Sequence, residues 1–213
     1  VAVADGRIRL PGKLFSKLMD LAVFPFDPRT RGVTTHWELR DVDPTDAAQV
    51  SEALVESQLA ALQTVRFCRL HMPGYENCRV GRMPLRLGTR ESRRIEGCYR
   101  LTRANVLEGA KFEDGVARAW FWIDPHDPPP GITVPHATDY VMSHQPPPGD
   151  WYEIPYRSLR PRRVSGLLVA GRCICCDRDA QASLRIMPTC MFTGAAAASA
   201  IAISASPCLP LSK

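Results

Sequence analysis

The segment between Val164 and Ala205 limits the fold more than any other part of this chain. Val164-Ser165-Gly166-Leu167-Leu168-Val169-Ala170-Gly171 is a short apolar run closed by glycine. That is the pattern of a strand buried on both faces of a parallel sheet. A polar connection leads to Ser183-Leu184-Arg185-Ile186-Met187-Pro188-Thr189. Proline suits the first turn of a helix, where its missing N–H would have no partner anyway. Residues 189–205 are then nearly all small, with Gly194, the run Ala195 to Ala198, Ser199 and Ala200. A helix with so little side chain packs close against a neighbour or a flat ligand. Its first amides point at whatever lies before it and favour a partly anionic acceptor.

The rest of the chain is less regular. Residues 1–44 mix short apolar runs with turns, and Thr34-Thr35-His36-Trp37-Glu38-Leu39 reads as a strand. Pro44-Thr45-Asp46 signals a helix start with Thr45 as N-cap. Val50, Leu54, Val55, Leu59, Leu62 and Val65 then recur close to helical period, up to a stop at Met72-Pro73-Gly74. Residues 85–89 and 95–101 read as strands flanking Arg90-Glu91-Ser92-Arg93-Arg94, and a second helix is expected to start at Thr102. Residues 124–150 hold eight prolines, including two Pro-Pro-Pro triplets, and form an extended excursion.

Charge and cysteine usage narrow the setting. The net charge is +5, and the arginines are spread over many segments. Nucleic-acid binding needs a concentrated basic patch, so none is expected. No stretch is read as approaching the roughly 20 apolar residues of a membrane span, and no signal peptide is read at Val1. The eight cysteines follow no disulfide framework, which points to reduced thiols in the cytoplasm. Cys173-Ile174-Cys175-Cys176 lacks a second ligand pair, so no metal is expected there. The start at Val1, inside what reads as a strand, suggests a piece of a longer sequence.

Several runs in order carry a resemblance. They are Gly88-Thr89-Arg90-Glu91-Ser92-Arg93-Arg94-Ile95, Leu101-Thr102, Phe112-Glu113-Asp114-Gly115-Val116-Ala117 and Ile123-Asp124-Pro125-His126-Asp127. Further on come Ile154-Pro155-Tyr156-Arg157-Ser158-Leu159, Leu167-Leu168-Val169-Ala170-Gly171-Arg172-Cys173 and Ser183-Leu184-Arg185-Ile186-Met187-Pro188-Thr189-Cys190. Together they resemble the C-terminal half of bacterial FAD-dependent oxidoreductases of the glutathione-reductase-like superfamily. Residues 1–87 match more loosely, where the family has its substrate domain. The resemblance implies FAD as cofactor. It implies that Gly171, Arg172 and Cys173 lie along the ribityl chain. It implies that the helix entered through Pro188, Thr189, Cys190 and Met191 aims its amides at the flavin pyrimidine edge. Arg185 stands where distantly related flavoproteins have a substrate-facing arginine.

One departure stands out. The superfamily holds the ADP half of FAD with a Gly-x-Gly-x-x-Gly turn. The fourteen glycines here are never closer than five positions, so that turn does not occur in this sequence. A second polypeptide or another copy of the chain is expected to complete the FAD domain. The alternative is a non-catalytic piece or partner subunit that binds no FAD on its own.

The remaining candidates stay open at this stage. Arg90 and Arg94 share one face of a strand if the segment alternates, and either bind an anionic substrate or pair with Glu91 and Glu96. His126 is a candidate proton donor near the flavin, and solvated loop histidine is its ordinary reading. The resulting expectation is an α/β chain with a partial FAD-binding, Rossmann-like sheet. Residues 1–150 would form a mostly β substrate or cap region, and residues 151–213 the end of the FAD domain. The expected activity is hydride transfer between flavin and a small anionic or hydroxylated substrate.

Overall fold

A computed structural model of the chain describes residues 24–27, 32–34, 42–124 and 143–205. Two compact units divide it, Val1–Thr89 and Arg90–Lys213.

In the first unit, β1 (Phe24–Asp27) and β2 (Gly32–Thr34) pair antiparallel, Phe24 opposite Thr34. The register shifts between Pro25 and Asp27. The Thr34–Leu39 strand expected from sequence is met only at Thr34, and the remainder lies outside the described residues. Helix α1 spans Ala47–His71. Its cap is Asp46, one residue later than expected, and the reason is local. Asp43 Oδ1 accepts from both the amide and the hydroxyl of Thr45 (2.8 Å each), which occupies the threonine side chain. Asp46 is left to accept from the amides of Ala48 (2.9 Å) and Gln49 (3.3 Å). A third bond, from the Gln49 side chain, is the largest of the effects that hold the Asp46 carboxyl below its ordinary range.

The face that α1 buries also differs from expectation. Ala53, Ser57, Ala60, Thr64 and Cys68 are covered, while Val55, Leu59 and Leu62 are about half exposed. The buried stripe keeps the helical spacing, but small residues form it. Ser57 and Thr64 satisfy their hydroxyls by donating to the carbonyls four residues back, so they can sit inside without an outside partner.

The second unit holds the core. Helix α2 (Arg103–Leu107) begins where the sequence placed it, under a reciprocal cap. Asn105 N donates to Thr102 Oγ1 (3.4 Å), and Thr102 N donates to Asn105 Oδ1 (3.0 Å). Strand β3 (Gly115–Ala119) pairs antiparallel with β4 (Tyr152–Pro155). Period-2 alternation buries Ala117 and Ala119 and exposes Arg118. A Cβ at Gly115 would come within 2.5 Å of Glu153 Oε2, so a larger residue there would displace that carboxylate. Helix α3 spans Arg178–Leu184 and helix α4 spans Met187–Ala205. Leu101, Val106, Ile123, Tyr152, Ile154, Leu159, Ile174 and Leu184 are fully or almost fully buried between these elements.

Several expected elements take another form. Residues 85–101 contain no strand of their own, only bridges from Gly97 to Pro161 and from Leu101 to Cys176. The apolar run to Gly171 is not a strand of a sheet, and it bends at Ser165 and Gly166 (φ +70°). Val169 N donates to Leu159 O (2.9 Å), and Val164 and Leu167 stay about half exposed. A strand is defined by a paired neighbour, and among the described residues none runs along this segment. The described sheets are both two-stranded and antiparallel, so the fold is mixed helix and strand.

Helix α4 also corrects the membrane-span reading. It has 19 residues and no charged side chain, with a mean hydropathy of 1.3, so it is long and apolar enough to cross a membrane by length and composition. Only Thr189, Thr193 and Ala197 are buried along it, at i, i+4 and i+8.

An ion pair clamps the turn into β3 against the turn after β4. Arg157 donates to Asp114 through Nε (3.0 Å), Nη2 (3.1 Å) and its backbone amide (3.1 Å). Burial alone would raise the Asp114 carboxyl, but these bonds and the guanidinium charge together hold it below its ordinary value. A carboxyl lowered in the folded state stabilises above its unfolded pKa of 3.8, and that stability is lost as pH falls through the lower folded value. The stability difference between the natural chain and Asp114→Asn should therefore shrink as pH drops from about 5 to about 2. Urea denaturation followed by circular dichroism across that range checks it, and a constant difference would show that the carboxylate charge contributes nothing.

Candidate functional site

The candidate site is built where α3 ends and α4 begins. Arg185 closes α3, its amide donating to Gln181 O (3.0 Å). Its side chain is only 11% exposed and turns toward the residues that follow β3. Nη2 donates to the main-chain carbonyl of Asp124 (2.8 Å) and to Asp124 Oδ2 (3.2 Å). Burial lowers the proton affinity of Arg185, and the charges of Arg90 and Arg172 lower it further against the pull of Asp124. A guanidinium starts so high that it remains charged.

Gly171, Arg172 and Cys173 form a short helical turn packed on α4. Gly171 has φ +77°, a conformation that strains any residue with a Cβ. Its amide donates to Thr193 Oγ1 (3.0 Å), and Thr193 in turn donates to Cys190 O (2.9 Å). Arg172 Nε donates to Arg185 O (3.2 Å), which ties the turn to the α3–α4 junction. Cys173 is exposed, its thiol 3.5 Å from Ala170 O. Cys190 is half-buried, and burial pushes its thiol up, opposed by the Arg172 charge.

The first amide outside this junction to enter the α4 ladder is Cys190 N, bonded to Ile186 O (3.0 Å). The amides of Met187 and Thr189 precede it, and Pro188 has none. Thr189 is buried, whereas Met187 and Met191 are 76% and 72% exposed and Phe192 is half exposed. This donor set fits the flavin half of FAD. Amides at a helix N-terminus suit the electron-rich pyrimidine edge, apolar side chains suit the ring face, and two arginines adjoin. No residue of this sequence forms the Gly-x-Gly-x-x-Gly turn for the ADP half.

The structure brings Arg90 to the same junction and gives Arg94 a different neighbour. The buried Gln181 side chain donates to Arg90 O (2.8 Å), one helical turn before Arg185. Arg94 pairs with Glu91 (3.6 Å), which also takes Arg178 (3.5 Å). His126 lies outside the described residues. Among the described residues no group of three or more His, Cys, Asp or Glu is placed to hold a metal ion. Within the cysteine cluster Cys175 and Cys176 are buried, and burial pushes the Cys176 thiol up to about 12.

Sequence reasoning missed Gln181 and Thr193 and did not connect Asp124 with Arg185. Gln181 precedes Arg185 by four positions, the spacing of neighbours on a helix face, and that was a usable signal. Asp124 is separated from Arg185 by 61 positions, and no local pattern marks the pairing.

No curated protein and no solved structure matches the chain. A family model described as "FAD dependent oxidoreductase" matches residues 10–209, nearly the whole sequence, including the N-terminal region that matched only loosely by motif. The chain therefore belongs to the FAD dependent oxidoreductase family, and its cofactor is FAD.

Proposed function

We propose that this chain supplies the flavin-facing and substrate-orienting part of an oxidoreductase acting on a small anionic or hydroxylated substrate. The observation that carries the reading is Arg185, its side chain only 11% exposed, held by Asp124 beside the start of α4. FAD, when bound, supplies the hydride chemistry. Gly171, Arg172 and Cys173 border the ribityl chain in this reading. The amides of α4 after Pro188 hold the pyrimidine edge, with Cys190 and Met191 completing its first turns. Arg185 and Arg90 orient the substrate anion, Arg94 supports them through its pair with Glu91, and His126 serves as a proton donor. Arginine suits that task because its fork binds a carboxylate in a fixed plane.

The wider expectations belong to the same proposal. Residues 1–150 form the substrate side and residues 151–213 the end of a Rossmann-like FAD domain of the glutathione-reductase-like superfamily. A second polypeptide or a second copy completes that domain, in a bacterial cytoplasm and without nucleic acid or membrane partners. The sparsely paired backbone at residues 167–170 supports this, since such an edge pairs readily with another strand.

Flavin titration tests the reading. Only the ring and ribityl half has a site on this chain, so riboflavin and FAD should bind the purified protein with affinities within about threefold of each other. Quenching of flavin fluorescence measures both. A colourless protein that quenches neither flavin sinks the reading. Binding of FAD alone would place an adenine site on the chain and contradict the half-site.

A further inference from the structure

One face of α3 and its caps carries three polar residues at i, i+4 and i+8, namely Asp177, Gln181 and Arg185. Each reaches a different segment of the chain. Asp177 accepts from Arg103 N (2.8 Å), Gln181 donates to Arg90 O (2.8 Å), and Arg185 donates to Asp124. Gln181 is 1% exposed, so its amide is committed to that single backbone contact in a water-free setting. Arg90 carries a like charge that helps lower the proton affinity of Arg185, after burial as the main cause. Two contacts fix their places. Gln181 pins the backbone of Arg90, and Asp124 pins the guanidinium of Arg185 through two acceptors, one of which is a carbonyl that no side-chain substitution removes.

We infer that Asp124 and Gln181 are positioning residues: Asp124 aims the Arg185 guanidinium and Gln181 fixes the backbone of Arg90, so that both arginines reach one anion. This rests on the reading of Arg185 as substrate-facing, and the experiment separates the two. Asp124 acts here through geometry more than through charge. Its carboxylate oxygen aims the guanidinium, and an amide oxygen in its place can do the same. A purely electrostatic role gives the opposite result, because removing a negative charge beside two arginines would tighten anion binding.

Sulfate is the probe, titrated calorimetrically into the purified full-length chain at constant ionic strength. Asp124→Ala should weaken sulfate binding by about tenfold or more, and Asp124→Asn should restore it to within about threefold of the natural chain. Gln181→Met, which keeps the length and loses the donor, should weaken it by about tenfold while circular dichroism shows the helices intact. Equal tightening by Asp124→Ala and Asp124→Asn overturns the inference, as does an unchanged affinity in Asp124→Ala. Failure of the natural chain to bind sulfate strikes the anion-site reading itself, and the inference with it.

Discussion

Replacing Tyr152 with alanine is expected to destabilise the Arg90–Lys213 unit by about 3–5 kcal/mol. Tyr152 is fully buried in the core, and its ring sits among the apolar side chains of β3, β4 and α3. Its hydroxyl lies 2.8 Å from Ser183 Oγ, and Ser183 Oγ lies 2.5 Å from Phe121 O. Serine has one hydroxyl hydrogen, and the Phe121 carbonyl can only accept. Ser183 therefore donates to Phe121, and Tyr152 donates to Ser183. Burial pushes the phenol above its ordinary value, so it stays a donor throughout the usable pH range. The phenylalanine variant separates ring from hydroxyl. Tyr152→Phe keeps the packing and leaves Ser183 its bond to Phe121, so it should cost only about 1 kcal/mol. Urea denaturation of the three proteins checks the order, and equal losses in both variants would mean that ring packing contributes little.

The second large effect is expected at Asp177. Its Oδ1 caps α3 by accepting from Ala180 N (2.8 Å), and its Oδ2 accepts from Arg103 N at the start of α2 (2.8 Å). Its own amide donates to Leu101 O (2.8 Å). One carboxylate thus joins two helix starts across 74 positions of sequence. Asp177→Ala removes a cap and leaves a second amide without its acceptor, for a loss of about 2–4 kcal/mol. Asp177→Asn retains one acceptor and should fall between the two. Hydrogen exchange gives the sharper readout. The amides of Ala180 and Arg103 should both lose protection in the alanine variant, and protection retained at Arg103 would refute the bridging role. Because α3 also carries Gln181 and Arg185, Asp177→Ala should weaken sulfate binding as well.

Local rules worked where the physics was local. The helix start at Thr102 and the proline in the first turn of α4 both appear as residue types at short spacing. The α1 cap was misplaced by one residue because two adjacent candidates, Thr45 and Asp46, competed, and a bond from Thr45 back to Asp43 decided between them. The buried face of α1 was misread because apolar periodicity favours leucine and valine, whereas this helix covers its alanines and hydroxyl residues. The run to Gly171 was misread as a strand in place because its composition reports burial tendency and says nothing of a neighbour.

The sequence by itself determined the family, the cofactor FAD and the starts of α2 and α4, because these reside in residue types and short spacings along the chain. It also determined that no glycine turn for the ADP half occurs here. Only the tertiary structure decided how the arginines are held. Arg185 is fixed by Asp124 and Arg90 by Gln181, across 61 and 91 positions. Those pairings depend on where β3, α3 and the segment at Arg90 pack in space. Long-range contacts of that kind leave no periodic trace in the chain, because what selects them is the cost of burying a charge or an amide without a partner.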